Sequence, residues 1–110
     1  MFLIIIRRYV RPDREDQFLD SYRADLTTHE DFLGETLTKL AADHSIPEAM
    51  ATLFSPAPEY LTYVNVARWR NWSSFVGQCK MTPGWYDPEI EVAPRERVVL
   101  EIVEDVPATT

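Results

Sequence analysis

The sequence predicts an α+β domain in which four strands and two helices follow one another as β-α-β-β-α-β. Three observations carry that reading. Residues 2–6 form an unbroken, β-branched apolar run, and residues 60–69 form a second strand that is apolar near its centre on both faces. Two segments, one opening at Pro12 and one after Asn71, instead repeat apolar residues at the three- and four-residue spacing of a helix. At 110 residues, with no internal repeat or low-complexity tract, residues 1–110 read as a single domain.

Each element has its own warrant. The first strand is carried out of the core by Arg7, Arg8 and Tyr9. Pro12 suits the first turn of a helix and Asp13 its cap, while Glu15 and Asp16 place negative charge at the positive end of the helix dipole. Phe18, Leu19, Tyr22 and Leu26 give this helix its apolar stripe, and it is expected to end between 27 and 30. The second strand spans 32–40, with Phe32, Gly34, Thr36 and Thr38 alternating against Leu33, Glu35, Leu37 and Lys39. Gly34 inside it marks a bulge or a close backbone approach. The 41–58 connection is long, holds three prolines and has room for a short helix over 47–53 capped by Ser45; it is expected to cover the mouth of a cavity.

After the 60–69 strand, Asn71 caps a second helix whose Trp72, Phe75, Val76 and Cys79 fall at i, i+3, i+4 and i+7, a helix-packing stripe. Residues 81–94 are irregular, with Trp85 and Tyr86 either capping the cavity or packing the loop down. The last strand is expected at 97–104, with Val98, Leu100 and Ile102 on one face, before a frayed tail at 107–110.

Composition narrows the function. Eleven Lys and Arg against 18 Asp and Glu give a formal charge of −7, which argues against a nucleic-acid partner and against an anionic membrane surface. The single cysteine, Cys79, cannot form an intrachain disulfide and fits a reducing compartment. The opening apolar run is too short to span a membrane or to serve as a signal peptide, so a cytoplasmic protein is expected. Three glycines leave little scope for a phosphate-cradling loop, and no metal-ligand spacing surrounds His29 or His44.

The candidate site lies on the 60–69 strand. Alternation puts Tyr63, Asn65, Ala67 and Trp69 on one face and Thr62, Val64, Val66 and Arg68 on the other. A buried amide needs a partner, so Asn65 bonds either a backbone group of the long connection or a ligand. Trp69 is either core or a flat wall against a substrate. Tyr63, Trp72, Phe75, Tyr22 and Arg7 complete the candidate site as substrate contacts, with Arg7 or Arg8 supplying positive charge.

The element order is the ferredoxin-like plan, an antiparallel sheet with both helices on one face and the first and third strands central. Two helices cover only one side of such a sheet. The other side, with Val64 and Val66, is left as an apolar patch, and its pairing with a second copy by two-fold symmetry predicts a homodimer.

Val64-Asn65-Val66-Ala67-Arg68-Trp69, followed by Phe75, together with the 31–37 strand, resembles the antibiotic-biosynthesis monooxygenase superfamily of dimeric α+β barrels. The cofactor-free, quinone-forming members of that superfamily use an asparagine and a tryptophan four residues apart on this strand, and Asn65 and Trp69 match them. The resemblance therefore implies a monooxygenase that oxidises an aromatic, polyketide-like substrate with O2 and no cofactor, with Asn65 and Trp69 as catalytic residues. Some members carry a tyrosine where this chain has Phe75, so that phenolic role does not transfer. The haem-degrading branch places a histidine ten residues after the tryptophan, where this chain has Cys79. A polyketide cyclase or isomerase on the same scaffold, and a non-catalytic small-ligand-binding dimer, are the alternatives.

Overall fold

The computed structural model describes residues 1–40, 49–50, 60–78 and 84–108. The described elements are β1 (Phe2–Val10), α1 (Glu15–Ala24), β2 (Phe32–Lys39), β3 (Leu61–Trp69), α2 (Trp72–Gln78) and β4 (Glu96–Glu101). They build a four-stranded sheet in the order β2-β3-β1-β4, antiparallel at every pairing. β1 and β3 are the inner pair, as their apolar runs require, and the arrangement is compatible with a ferredoxin-like fold. Most of the 41–58 connection, with its expected Ser45-capped helix and His44, lies outside the described residues, as does Cys79.

Both helices lie on the face of the sheet that carries Tyr63 and Trp69. The Phe18 ring of α1 sits 4.7 Å from that of Tyr63, and Phe75 of α2 sits 5.8 Å from Trp69. Two apolar clusters result. Ile4, Ile6, Ala67 and Trp69 form one with Phe32 and Phe75 against them, and Val10, Phe18 and Tyr63 form the other with Leu19, Leu37, Leu61 and Ile90. Across-strand partners place Leu3, Ile5, Val64, Val66, Val98 and Leu100 together on the opposite face. Among the described residues no helix covers that face, and Val98 there is 54% exposed.

Several boundaries differ from expectation for identifiable reasons. Pro12–Arg14 forms a 3₁₀ turn before α1, and no side chain caps the helix, so Asp13 does not act as its cap. α1 closes at Ala24, with Asp25 N–H bonding the Ser21 and Tyr22 carbonyls at 3.2 and 3.3 Å. Leu26 consequently falls beyond the helix and is exposed. Thr27 Oγ1 then accepts from His29 N–H (3.2 Å) and turns the chain toward β2.

Gly34 supplies the bulge expected of it, at φ +115, a conformation L residues rarely adopt. The bulge has a consequence that simple alternation misses. Phe32 stands opposite Trp69 and Glu35 opposite Ala67, so the inserted residue brings Phe32 and Glu35 to the same, helix-covered face.

α2 is capped as expected: Asn71 Oδ1 accepts from Ser74 N–H at 2.9 Å. Asn71 Nδ2 and the Ser74 hydroxyl both donate to Asp31, tying this cap to the approach to β2. Those bonds, the Ser74 one foremost, hold the Asp31 carboxyl below its ordinary value. The linkage is therefore whole above about pH 4 and weakens as acid carries the pH through the lowered value. Within the α2 stripe Phe75 packs on the core, Trp72 and Val76 are exposed, and Cys79 lies outside the described residues. The two turns of α2 reach only the Trp69 end of β3, no α2 residue is buried, and Trp72 is 44% exposed with its ring against Phe75 rather than the sheet.

Candidate functional site

Between the sheet and the helices lies a cleft of about 560 Å³, within the range typical of small-molecule sites. Its lining includes Ile6 and Arg8 from β1, Tyr22 from α1, Phe32 and Glu35 from β2, and Ala67 and Trp69 from β3. Phe75 and Gln78 from α2, the 25–27 turn, and Arg95 complete it.

Strand register arranges these groups in rows roughly 6.6 Å apart, two residues per step. The first row is aromatic: Trp69 beside Phe32 and Phe2, with the Phe32, Phe75 and His29 rings 5.4, 5.8 and 5.7 Å from the indole. The second pairs Glu35 with Ala67 and Ile4, and the third pairs Leu37 with Asn65 and Ile6. The fourth holds Lys39, Tyr63 and Arg8. The cleft lining thus runs from an aromatic end, past the Glu35 carboxylate, to Arg8, with the Asn65 amide buried at the sheet beneath it.

Asn65 is 0% exposed. Its Nδ2 donates to Glu35 Oε2 at 3.1 Å, while its Oδ1 has no hydrogen-bond partner among the described residues. This orientation sets an amide N–H against a carboxylate oxygen, where the flipped amide would set oxygen against oxygen. The described partner of Asn65 is therefore a side chain on the neighbouring strand rather than a backbone group. Leaving a buried acceptor unmet costs roughly 1–3 kcal/mol. Glu35 also receives the Tyr22 phenol, and burial followed by that bond holds Tyr22 far above the ordinary tyrosine value.

Arg8 lies half-buried over two rings, its guanidinium carbon 5.5 Å from the Phe18 centroid and 5.8 Å from that of Tyr22. Its Nε has no hydrogen-bond partner among the described residues. Burial, and then the like charge of Arg95, push Arg8 down to about 10 against smaller opposing effects of Glu91 and Glu35. Arg95 is held differently. Its Nε and Nη2 grip the Glu91 carboxylate at 2.9–3.2 Å, and Glu91 is 1% exposed. The segment carrying Glu91 docks on the end of β1 through Val92 N–H to Tyr9 O (2.9 Å) and Arg11 N–H to Ile90 O (2.8 Å).

Of the residues the sequence singled out, Trp69, Phe75 and Tyr22 line the cleft, and Asn65 is buried at the sheet beneath it. Arg7, Tyr63 and Trp72 are not in the lining. Arg7 is exposed on the opposite face, across from Val64 and Glu96, because alternation gives the inward position to Arg8. Tyr63 is buried and donates its phenol to Glu15, which Lys39 Nζ also bonds at 2.7 Å. Trp85 is exposed and also outside the lining. Glu35 and Arg95 were not among the candidates. The bulge at Gly34 was the available signal for Glu35; Arg95 sits where the sequence has no periodicity to read.

The Tyr63 contact makes a measurable prediction. Burial first, and then the Glu15 carboxylate, push the Tyr63 phenol up to about 12. A raised value means that the neutral phenol is the form the fold favours. Its contribution is whole below about pH 10 and is lost as the pH rises through 12. Absorbance at 295 nm should show late ionisation of Tyr63 and Tyr22, and Tyr63→Phe should remove one late step. Ionisation of Tyr63 within the ordinary tyrosine range would contradict the geometry.

The structure defines an α+β domain with one aromatic wall and one cationic wall facing a common cleft. Compared with known proteins, the chain matches no family model and no curated sequence. Among the described residues no helix is long and apolar enough to cross a membrane, and no group of three or more His, Cys, Asp or Glu is placed to hold a metal ion.

Proposed function

We propose that this chain is a ferredoxin-like, dimeric α+β-barrel monooxygenase that oxidises a polycyclic phenolic substrate with O2 and no cofactor. The observation that carries the reading is the buried Asn65, anchored to Glu35 beside a cleft whose aromatic wall is Trp69. The resemblance of the 64–69 stretch to the quinone-forming monooxygenases supports it.

Triplet oxygen reacts slowly with closed-shell molecules, so the substrate itself must be electron-rich and readily ionised. An anthrone meets that need once deprotonated. Glu35 faces the cleft as proton acceptor. Asn65 has a second N–H beyond the one given to Glu35, and a donor of this kind stabilises the developing oxyanion. Trp69, Phe32 and Phe75 hold the flat ring system away from water, which strengthens each of these interactions. The overall change converts a ring CH2 to C=O. The four electrons released reduce O2, one oxygen atom entering the product and the other leaving as water, so no external reductant is required.

The sheet face with Ile5, Val66 and Val98, which no helix covers among the described residues, is the surface for the second copy, and sedimentation at twice the 12.8 kDa chain mass is expected. The activity is tested by oxygen uptake with dithranol, comparing wild type with Asn65→Ala verified as folded by circular dichroism. Loss of one well-placed donor should lower kcat on the order of 10²–10³-fold. Uptake no faster than buffer, or an undiminished variant, overturns the proposal.

A further inference from the structure

We propose that the cationic end of the cleft is a recognition site for a permanent anion, so that the aromatic ligand carries a carboxylate at the end remote from Trp69. The inference rests on the reading of this cleft as an aromatic-ligand site and adds the chemical class of that ligand.

Arg8 carries the argument. It lines the cleft, its Nε is buried with no hydrogen-bond partner among the described residues, and no ion pair engages it there. A guanidinium presents five donors in a planar fork that fits a carboxylate at two points. The rings of Phe18 and Tyr22 hold it on one side, so the fork is set before a ligand arrives. The neighbouring charges are otherwise committed. Glu91 is gripped by Arg95, and Glu35 accepts from Asn65 and Tyr22. The depressed Arg8 value agrees, since burial and Arg95 together outweigh the two carboxylates.

Register supplies the dimension. Arg8 stands opposite Tyr63, three rows from the Trp69 row, which is roughly 20 Å between backbones at 3.3 Å per residue. The Arg8 guanidinium lies over the Tyr22 ring, whose phenol bonds Glu35 one row from Trp69, so the head group is closer to Trp69 than the backbones are. An elongated ring system with a terminal carboxylate reaches from one wall to the other, whereas a small neutral phenol stacked on Trp69 leaves Arg8 unengaged.

The test uses two non-oxidisable ligands of nearly the same shape, anthraquinone-2-carboxylate and anthraquinone-2-carboxamide, measured by calorimetry on the full chain. Wild type should bind the carboxylate at least about tenfold more tightly, as a charge-assisted pair at a desolvated site implies. Added salt should narrow the gap. Arg8→Met should bring the carboxylate down to the carboxamide level while leaving the carboxamide within about threefold, and Arg8→Lys should restore part of the preference. Equal binding of the two ligands by wild type, which needs no variant to fold, overturns the assignment. So does an Arg8→Met variant that weakens both equally. Because neither ligand turns over, a retained carboxylate preference alongside absent oxygen uptake would remove the oxidation reading and leave this one standing.

Discussion

Glu91→Ala should lower the unfolding free energy by about 3–5 kcal/mol, among the largest losses any single substitution in this chain produces. The Glu91 side chain is 2% exposed and that of Arg95 16%, so both charges are largely out of water. The buried Glu91 carboxylate is compensated by Arg95. Removing the carboxylate takes away the group that Arg95 grips through two nitrogens, and Glu91 is one of the two groups that raise Arg8 against the like charge of Arg95. The loss is greater than that of an exposed pair such as Arg23 with Asp20, which contributes at most about 1 kcal/mol. A joint replacement, Glu91→Leu with Arg95→Met, removes both charges and should recover most of the loss. Urea denaturation reads both. A Glu91→Ala cost below about 1 kcal/mol would mean that the pair is solvated in solution.

Trp69→Ala should cost a similar amount, about 3–5 kcal/mol, by a different route. The indole is 4% exposed and is the common neighbour of Phe32, Phe75 and His29. Its removal opens a cavity on which β2, β3 and α2 converge. α2 has no buried residue of its own and meets the core through Phe75, so it should loosen first. Trp69→Phe keeps a ring in place and should cost less than half as much. The same pair of variants separates packing from ligand contact: Trp69→Phe should keep binding of anthraquinone-2-carboxylate within about tenfold, and Trp69→Ala should abolish it. Equal stability of the two variants would contradict the packing account.

Much of this architecture was legible in the residues. The apolar run of β1 and the alternation of β3 identify the two inner strands, because only inner strands are flanked on both sides. Asn71 announced its helix through a short polar side chain at the right place, and Gly34 its bulge. The site was legible along β3 and less so elsewhere. Alternation put Asn65 and Trp69 on one face but does not tell which of Arg7 and Arg8 faces inward until the register of β1 with β3 is known. Glu35 was hidden by the bulge, since a one-residue insertion reverses the face of everything on one side of it. Glu91 and Arg95 come from an irregular, proline-flanked stretch whose placement is set by tertiary contacts with Tyr9 and Arg11. Of the α2 stripe, Phe75 meets the core while Trp72 and Val76 are exposed, because periodicity reports which residues share a face and not how far the sheet beneath them extends.

The central claim is that O2 is the direct oxidant of an aromatic substrate held against Trp69. Mass spectrometry of the dithranol product formed under ¹⁸O2 tests it most directly. One ¹⁸O atom in the new ring carbonyl, formed at a rate that collapses in folded Asn65→Ala, is the predicted result. A product whose new carbonyl carries oxygen from water, or one formed equally fast by the variant, would contradict it.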